Sequence, residues 1–345
     1  MISILKNTQK LFVCAGLIFY CQTVFAQNQL IVENIKQINT QLFCLTTPTD
    51  TIHFIKYDTI NEKKPLFLFL SGSLPMPLIV DYGKDYNNMM ATNSFHLFDK
   101  QIFENFNVVD ISQPNVPPII LYENLDNQGA YKNFSLEYLK RNVAETFVTR
   151  ANEVINCLLA QEWIDRDSIF VYGHSQGAYI AARVAAENEA VKAIAFSSTN
   201  PFGRYQGMLQ TIRDKAISGV ISEEDALTQI NQQYEFWNKV CYEDFPNDYR
   251  AQLPATWKSF SQSVVEILAN LKQPLFVVYG TKDYHSVACE LLPIYFGFSG
   301  KTNYKLHPML GRGHNFESFD ENGNPHWDDM KWQDVTIEFM NFIKN

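Results

Sequence analysis

Residues 168–186 read SIFVYGHSQGAYIAARVAA and decide the fold. The apolar run at 168–172 predicts a buried β-strand, and the alanine-rich stretch at 178–186 predicts a tightly packed helix. Between them stands Gly173-His174-Ser175-Gln176-Gly177, a G-x-S-x-G pattern at a strand-to-helix junction. Such a turn lifts a serine out of the packed surface, and glycines are needed beside it because a Cβ would not fit. The pattern indicates a nucleophilic serine, Ser175.

Short apolar runs alternate with helical patterns along most of the chain. The predicted strands cover residues 51–57, 66–70, 106–111, 168–172, 191–196, 274–279 and 304–306. Helical spacing is found at 136–162, 178–186 and 332–343. This alternation predicts an α/β fold, in which a mostly parallel sheet carries helices on both faces.

The stretch from about residue 200 to 271 interrupts the alternation. It contains two helical patterns, the second preceded by a capping signal in which Ser222 stands three residues before Asp225. A connection between strands usually takes 2–6 residues, so this stretch is a helical insertion.

A nucleophilic serine needs a base, and the base needs an acid that orients it. Asp283 follows the predicted strand at 274–279 in the sequence GTKD, and His314 follows the last strand in GRGHN. We expect these two residues to be the acid and the base, in the chain order serine, acid, histidine. His326 is the rival base, while Asp320 and Asp328 are poorer acids because they follow the histidine; His174 is expected to be a packing residue.

Acyl transfer develops negative charge on an oxygen, which N–H donors must stabilise. We expect one donor to be the backbone N–H of Gln176, the residue after the nucleophile. The second donor should come from the loop after the strand at 66–70, with Ser73 as the first choice and Leu74 as the second. Pro75 has no N–H to donate. The alternative is that this loop is an ordinary surface turn.

The pentapeptide around Ser175, together with Asp283 and His314, resembles the α/β-hydrolase superfamily over nearly the whole chain after residue 50. The resemblance implies an eight-stranded, mostly parallel sheet, with the insertion at 200–271 as a helical cap over the active site. It also implies a serine hydrolase that uses no cofactor and no metal. Ser175, Asp283 and His314 match the nucleophile, acid and base of the family, and Gln176 and Ser73 match its oxyanion hole. One departure is that Ser71-Gly72-Ser73 stands where many members begin with His-Gly.

Five aromatic residues of the insertion allow two interpretations. They could line an acyl pocket, or they could pack the insertion onto the rest of the protein. The residues are Tyr205, Phe236, Trp237, Trp257 and Phe260.

The composition excludes several classes of protein. The 345 residues are 46% hydrophobic and 19% charged, which predicts a substantial core and excludes a wholly disordered chain. The formal net charge is −9 without a cluster of Lys or Arg, so we expect no nucleic-acid partner. The expected partner is a small-molecule ester or other acyl substrate, and the oligomeric state is left open.

The first 26 residues resemble a secretory signal peptide. Two lysines precede an apolar run at 11–20, and a small-residue cleavage site ends at Ala26. This run is too short to span a bilayer, so we expect an exported domain of residues 27–345, either periplasmic or secreted. Cys21 raises the alternative of a lipid anchor, but the residues before it are bulky where that signal needs small ones.

Four cysteines remain after the predicted cleavage, and their spacing is wide. No C-x-x-C occurs, so neither a zinc ribbon nor a redox motif is indicated. We expect mostly buried free thiols with at most one disulfide. The cysteines are Cys44, Cys157, Cys241 and Cys289.

The leading hypothesis is an exported serine hydrolase that cleaves a carboxylic ester through an acyl-enzyme. A peptidase of the same fold is weaker, because we expect the mature chain after signal cleavage to offer only about 40 residues before the core strands, too few for a large substrate-selecting domain. The third hypothesis is a ligand-binding protein that keeps the fold without turnover. It is disfavoured because a protein that only binds has no reason to retain all three catalytic residue types.

Overall fold

A computed structural model describes residues 29–83, 89–91, 97–242 and 253–344, so the predicted signal peptide and Cys21 lie outside the described residues. The strands are β1 (Gln29–Ile35), β2 (Thr40–Thr46), β3 (Thr51–Tyr57), β4 (Lys64–Leu70), β5 (Ile79–Asp81), β6 (Met89–Ala91), β7 (Asn107–Ile111), β8 (Ile119–Leu121), β9 (Ile164–His174), β10 (Val191–Ser197), β11 (Leu275–Gly280), β12 (Tyr304–Met309), β13 (Glu317–Phe319) and β14 (Pro325–Met330). The helices are α1 (Lys100–Asn105), α2 (Leu136–Arg141), α3 (Ala144–Leu159), α4 (Gln176–Glu187), α5 (Arg204–Ile217), α6 (Glu223–Tyr242), α7 (Pro254–Phe260), α8 (Val265–Asn270), α9 (Leu292–Ser299) and α10 (Trp332–Lys344).

The main sheet has the strand order β1-β2-β3-β7-β4-β9-β10-β11-β12. Pairing is parallel from β7 to β12 and antiparallel among β1, β2, β3 and β7, so the predicted α/β architecture is confirmed. All seven predicted strands are present.

Among the described residues the sheet has nine strands and not the expected eight, and β1 and β2 are the two that the sequence patterns did not predict. The additional edge strand β1 pairs antiparallel with β2 along its whole length. Most of its side chains are exposed, with Ile31 54% and Val32 46% accessible, so the segment lacks the pattern of a buried strand. Backbone hydrogen bonds to β2 define β1, and the pattern of apolar and polar residues in the sequence does not indicate such bonds.

The two faces of the sheet carry separate apolar layers. On one face Leu66, Leu68 and Leu70 of β4 pack with residues from α3, α4 and α8. On the other face Phe67 and Phe69 pack with residues from α1 and α10. This alternation along β4 is expected of a strand buried on both sides, because successive side chains point to opposite faces.

The insertion between β10 and β11 contains the helices α5 to α8 among its described residues. The predicted capping signal is confirmed, since the Asp225 N–H donates to Ser222 Oγ at 3.0 Å. The predicted helix at 136–162 is instead two helices, because Val143 is extended between α2 and α3 and the Ala144 N–H donates to Ser259 Oγ.

Two small sheets lie outside the main sheet. The strands β6, β5 and β8 form one, and the hairpin of β13 and β14 forms the other. Their strands have only three to six residues, and most are too short to show a periodic pattern.

All four cysteines of the described chain are free thiols, and of these Cys289 is fully buried while the other three are half-buried. Among the described residues, none of the helices combines the length and the apolar character needed to cross a bilayer. The described part of the chain also brings no three potential metal ligands of the types His, Cys, Asp and Glu together.

The packing of α10 on the sheet leads to a test. Phe339 is fully buried there, so Phe339→Ala should lower the free energy of unfolding by about 3–5 kcal/mol. The control is Phe298→Ala on α9, where the ring is 86% exposed and the change should stay within about 0.5 kcal/mol. Urea unfolding of the two variants measures both changes in free energy. Equal unfolding midpoints for the two variants would contradict the placement of α10.

Candidate active site

Ser175 lies in the turn between β9 and α4 with a strained backbone. Its φ is 56° and its ψ is −125°, a conformation that L-amino acids rarely adopt. Its N–H donates to the Ser197 carbonyl on β10 at 2.8 Å, which holds the turn against the neighbouring strand. Strain of this kind persists only where the surrounding structure imposes it, and it is concentrated at functional sites.

The two glycines of the pentapeptide are required by close backbone packing. A Cβ on Gly173 would overlap the backbone of Gly177 and Ala178, and a Cβ on Gly177 would overlap the carbonyl of Leu70 on β4. Helix α4 can therefore begin directly after Ser175 only because neither position carries a side chain.

Ser175, His314 and Asp283 form a continuous hydrogen-bonded relay. His314 Nε2 lies 3.0 Å from Ser175 Oγ, and His314 Nδ1 lies 2.8 Å from Asp283 Oδ2. The carboxylate of Asp283 accepts only, so the proton lies on Nδ1 and Nε2 is free to accept the serine proton. Sequence reasoning predicted these three residues, and the structure brings them together.

The Asp283 carboxylate is itself held by hydrogen bonds. Ser286 Oγ donates to Asp283 Oδ2 at 2.6 Å, and the N–H of His285 donates to Oδ1 at 3.2 Å. Burial raises the pKa of Asp283, but His314 and Ser286 outweigh it, so this pKa lies below its usual 3.8. Burial lowers the pKa of His314, but the hydrogen bond and charge of Asp283 outweigh it, so this pKa lies above 6.5.

The loop that carries His314 packs directly on the end of β11. A side chain at Gly280 would overlap the carbonyls of Arg312 and Gly313, so the two loops can touch only because position 280 is glycine. The Lys282 N–H donates to the Arg312 carbonyl at 2.9 Å. This contact sets Asp283 and His314 at hydrogen-bonding distance although they are 31 residues apart.

The loop after β4 passes beside Ser175. A Cβ built on Gly72 would lie 3.6 Å from Ser175 Cβ and 3.8 Å from its Oγ. Gln113 Nε2 donates to the Gly72 carbonyl at 2.9 Å and fixes this loop. Both candidates for the second oxyanion donor, Ser73 and Leu74, line the cavity in front of Ser175, so the choice between them stays open.

Gln176 is the first residue of α4, where a backbone N–H has no acceptor within its own helix. Its buried side chain accepts a hydrogen bond from Arg204 of α5. Sequence reasoning missed Arg204, Gln113 and Ser286, because each acts on a residue brought near it only by folding.

The remaining histidine and aspartate candidates are placed elsewhere. His174 is buried against Trp332 at a ring distance of 4.7 Å, and its burial and the charge of His314 lower its pKa to about 3, which fits a packing residue. His326 is exposed on β14, and Asp320 accepts hydrogen bonds within its own turn from Asn322 and Asn324. Asp328, the other rival acid, is also exposed on β14.

A cavity of about 630 Å³ opens in front of Ser175 and His314. Its described lining comes from residues 69–82, 90–91, 97, 122–129, 174–175 and 314–332, and none comes from the described part of the insertion at 200–271. Of the two interpretations of the five aromatic residues, the acyl pocket therefore finds no support among the described lining residues, whereas packing onto the rest of the protein does, since Phe260 lies against Phe147 and Tyr179. Those rings pack on one another and on Arg204, with Tyr205 and Trp237 4.6 Å apart and Phe236 and Trp257 4.9 Å apart.

No family model and no curated protein matches this sequence. Among solved structures, DcsB in complex with its substrate analogue is 14% identical with a TM-score of 0.50, covering 92% of this chain and 98% of its own. Acylaminoacyl peptidase from Pyrococcus horikoshii is 15% identical with a TM-score of 0.50, covering 92% of this chain and 41% of its own. Acetyl xylan esterase 1 from Thermoanaerobacterium sp. is 14% identical with a TM-score of 0.47, covering 91% and 87%.

The first two likenesses establish the fold. The chain has the fold of the α/β-hydrolase superfamily, as the sequence predicted. It spans about two fifths of the length of the peptidase that it resembles.

The coupling of Asp283 to His314 predicts the titration of the imidazole. His314 should titrate above pH 6.5, and Asp283→Asn should lower its pKa because the hydrogen bond to a carboxylate and its charge are lost. The raised pKa stabilises the fold below pH 6.5, and this contribution is lost as the pH rises through the folded-state value.

Histidine NMR titration of the two proteins measures this shift. His174 is the internal control, since its pKa of about 3 keeps it neutral across the range. An unchanged pKa of His314 in Asp283→Asn would contradict the relay.

Proposed function

We propose that the protein is a serine hydrolase that cleaves a carboxylic ester through a covalent acyl-enzyme. The observation that carries the proposal is the relay from Asp283 through His314 to Ser175, closed at 2.8 Å and 3.0 Å and ending on a strained turn. The cavity in front of Oγ leaves space for a substrate, which a purely structural relay would not need.

In the first half of the reaction Ser175 Oγ attacks the ester carbonyl carbon while His314 Nε2 takes the hydroxyl proton. The N–H of Gln176 and a second N–H from Ser73 or Leu74 stabilise the oxyanion of the tetrahedral intermediate. The intermediate collapses, the C–O bond to the alcohol breaks, and His314 returns the proton to the leaving alkoxide. Asp283 stabilises the imidazolium throughout.

In the second half a water molecule attacks the acyl-enzyme. His314 takes a proton from the water, the new oxyanion forms at the same donors, and the bond to Ser175 Oγ breaks as His314 reprotonates it. The products are a carboxylic acid and an alcohol, and the enzyme returns to its starting protonation state. Ser175, His314 and water make and break all of these bonds.

We also propose that the hydrolase is exported after cleavage between Ala26 and Gln27. The support is the sequence at 1–26, with its two lysines, apolar run and small-residue cleavage site. Expression of the full chain with mass determination of the product tests this. A mature N-terminus at Gln27 is expected, and a lipid-modified Cys21 or an intact Met1 would contradict the proposal.

Replacement of the nucleophile is the direct test of the reaction. Ser175→Ala should lower ester kcat by at least about 10⁴-fold and abolish labelling by a fluorophosphonate, while Tm stays equal or rises slightly. Ser218→Ala, an exposed serine at the end of α5, is the matched control and should retain full activity. Ester turnover by Ser175→Ala would refute the proposal, and preferential cleavage of aminoacyl amides by the wild type would identify a peptidase.

The pH profile tests the base and the acid. Since neutral His314 is the active form, kcat/KM should rise with pH through a value above 6.5. Asp283→Asn should lower kcat by about 10⁴-fold, because the imidazole loses its orienting partner. Asp328→Asn, an exposed residue of β14, is the matched control, and a larger loss in that variant would mean that the acid is misassigned.

A further inference from the structure

The cavity in front of Ser175 is lined by apolar and aromatic side chains. Away from the relay its walls include Met76, Val80, Met90, Leu125, Trp327 and Met330. Its lining also includes the polar side chains of Ser71, Ser73 and Asn315. Among the described lining residues there is no Asp, Glu, Lys or Arg. A charged group that entered would therefore lose its hydration and gain no ion-pair partner from these walls.

Large apolar side chains are also exposed at the cavity. Leu74 is 39% exposed, Met90 46%, Tyr122 60% and Trp327 56%, and all four contribute to its lining. Tyr122 stacks on Tyr82 with ring centroids 5.1 Å apart. Apolar side chains that are exposed singly on a surface are ordinary, whereas a cluster of them around a concave site marks a binding surface.

The hairpin that carries Trp327 is tied to the histidine loop. Arg312, two residues before His314, donates to the carboxylate and to the carbonyl of Asp329 on β14, both at 2.8 Å. The Lys331 N–H donates to the Phe316 carbonyl at 3.2 Å. These bonds set the position of β14, and with it Trp327 and Met330, relative to the base of the relay.

We propose that this cavity binds a large, uncharged, apolar group of the ester substrate, and that Trp327 and Met330 on β14 are its specificity-determining residues. The inference rests on the proposed ester hydrolysis. The volume of about 630 Å³ lies within the range of sites that enclose drug-sized ligands and far exceeds an acetyl group. Selection among ester substrates is thus assigned to the hairpin that follows His314 and not to the helical insertion.

The first test is a series of p-nitrophenyl esters from acetate to hexanoate. Each methylene that enters the cavity should raise kcat/KM roughly fourfold, so hexanoate should exceed acetate by about 10²-fold. The hydrogen adipate monoester has a similar length but ends in a carboxylate, and it should react about 10²-fold or more slowly than hexanoate. Equal values for acetate, hexanoate and the adipate monoester would overturn the inference.

Variants of the hairpin locate the selectivity. Trp327→Ala and Met330→Ala should each lower kcat/KM for hexanoate about tenfold and change the value for acetate less than twofold. Trp327→Lys should raise the ratio of kcat/KM for the adipate monoester to that for hexanoate, because a cation then stands at the cavity. Trp327 is 56% exposed, so its replacement should leave the fold intact, and the Tm of all three variants checks this.

Trp237→Ala on α6 is the matched control, since its ring stacks on Tyr205 and contributes nothing to the described cavity lining. Its ratio of hexanoate to acetate should equal that of the wild type. A changed ratio in Trp237→Ala with unchanged ratios in both hairpin variants would place selection in the insertion and overturn the inference.

Fluorophosphonate labelling of Ser175 separates this inference from the proposed function. A protein that neither labels nor cleaves any ester would refute the proposed function. If Ser175 is labelled and the acetate ester is cleaved as fast as the hexanoate ester, the proposed function stands and the inference about the cavity is refuted.

Discussion

The close contact between helix α4 and strand β4 is the constraint on which the site depends. The helix begins one residue after Ser175, and at Gly177 its backbone lies against the carbonyl of Leu70. A side chain there would push the helix away and relax the turn that presents Oγ. The strained conformation of Ser175 is therefore maintained by the packing of α4 on the central strands. The stability of the surrounding core offsets the cost of this strain.

A second contact of the same kind assembles the other half of the relay. Gly280 ends β11 against the backbone of the loop that carries His314, which brings the imidazole to the carboxylate of Asp283. Parallel strands place their carboxyl ends on one edge of the sheet, so the serine turn and these two loops meet there. The charges then reinforce the geometry, because the carboxylate favours the protonated imidazole and orients it.

The insertion and the hairpin of β13 and β14 contact different residues of the site. In the insertion, Arg204 donates a hydrogen bond to the Gln176 side chain, and Gly207 packs against the ring of His285. Strand β14 of the hairpin contributes Trp327 and Met330 to the cavity wall. A helical insertion of this length suggests a cover over the site, yet its described aromatic rings pack on one another and, at Phe260, on Phe147 and Tyr179.

The sequence by itself determined the parallel sheet, the serine turn and the order of Ser175, Asp283 and His314, because each depends on a local pattern at a strand end. It could not reveal β1, whose exposed side chains carry no pattern, nor the contacts of Gln113 and Arg204 with residues distant in the chain. The periodicity of apolar residues indicates which side chains are buried, but it does not indicate which helices, strands and loops pack against each other. Only the tertiary structure decided that a short hairpin lines the cavity and that none of the described residues of the long insertion does, because that depends on how loops pack around the edge of the sheet.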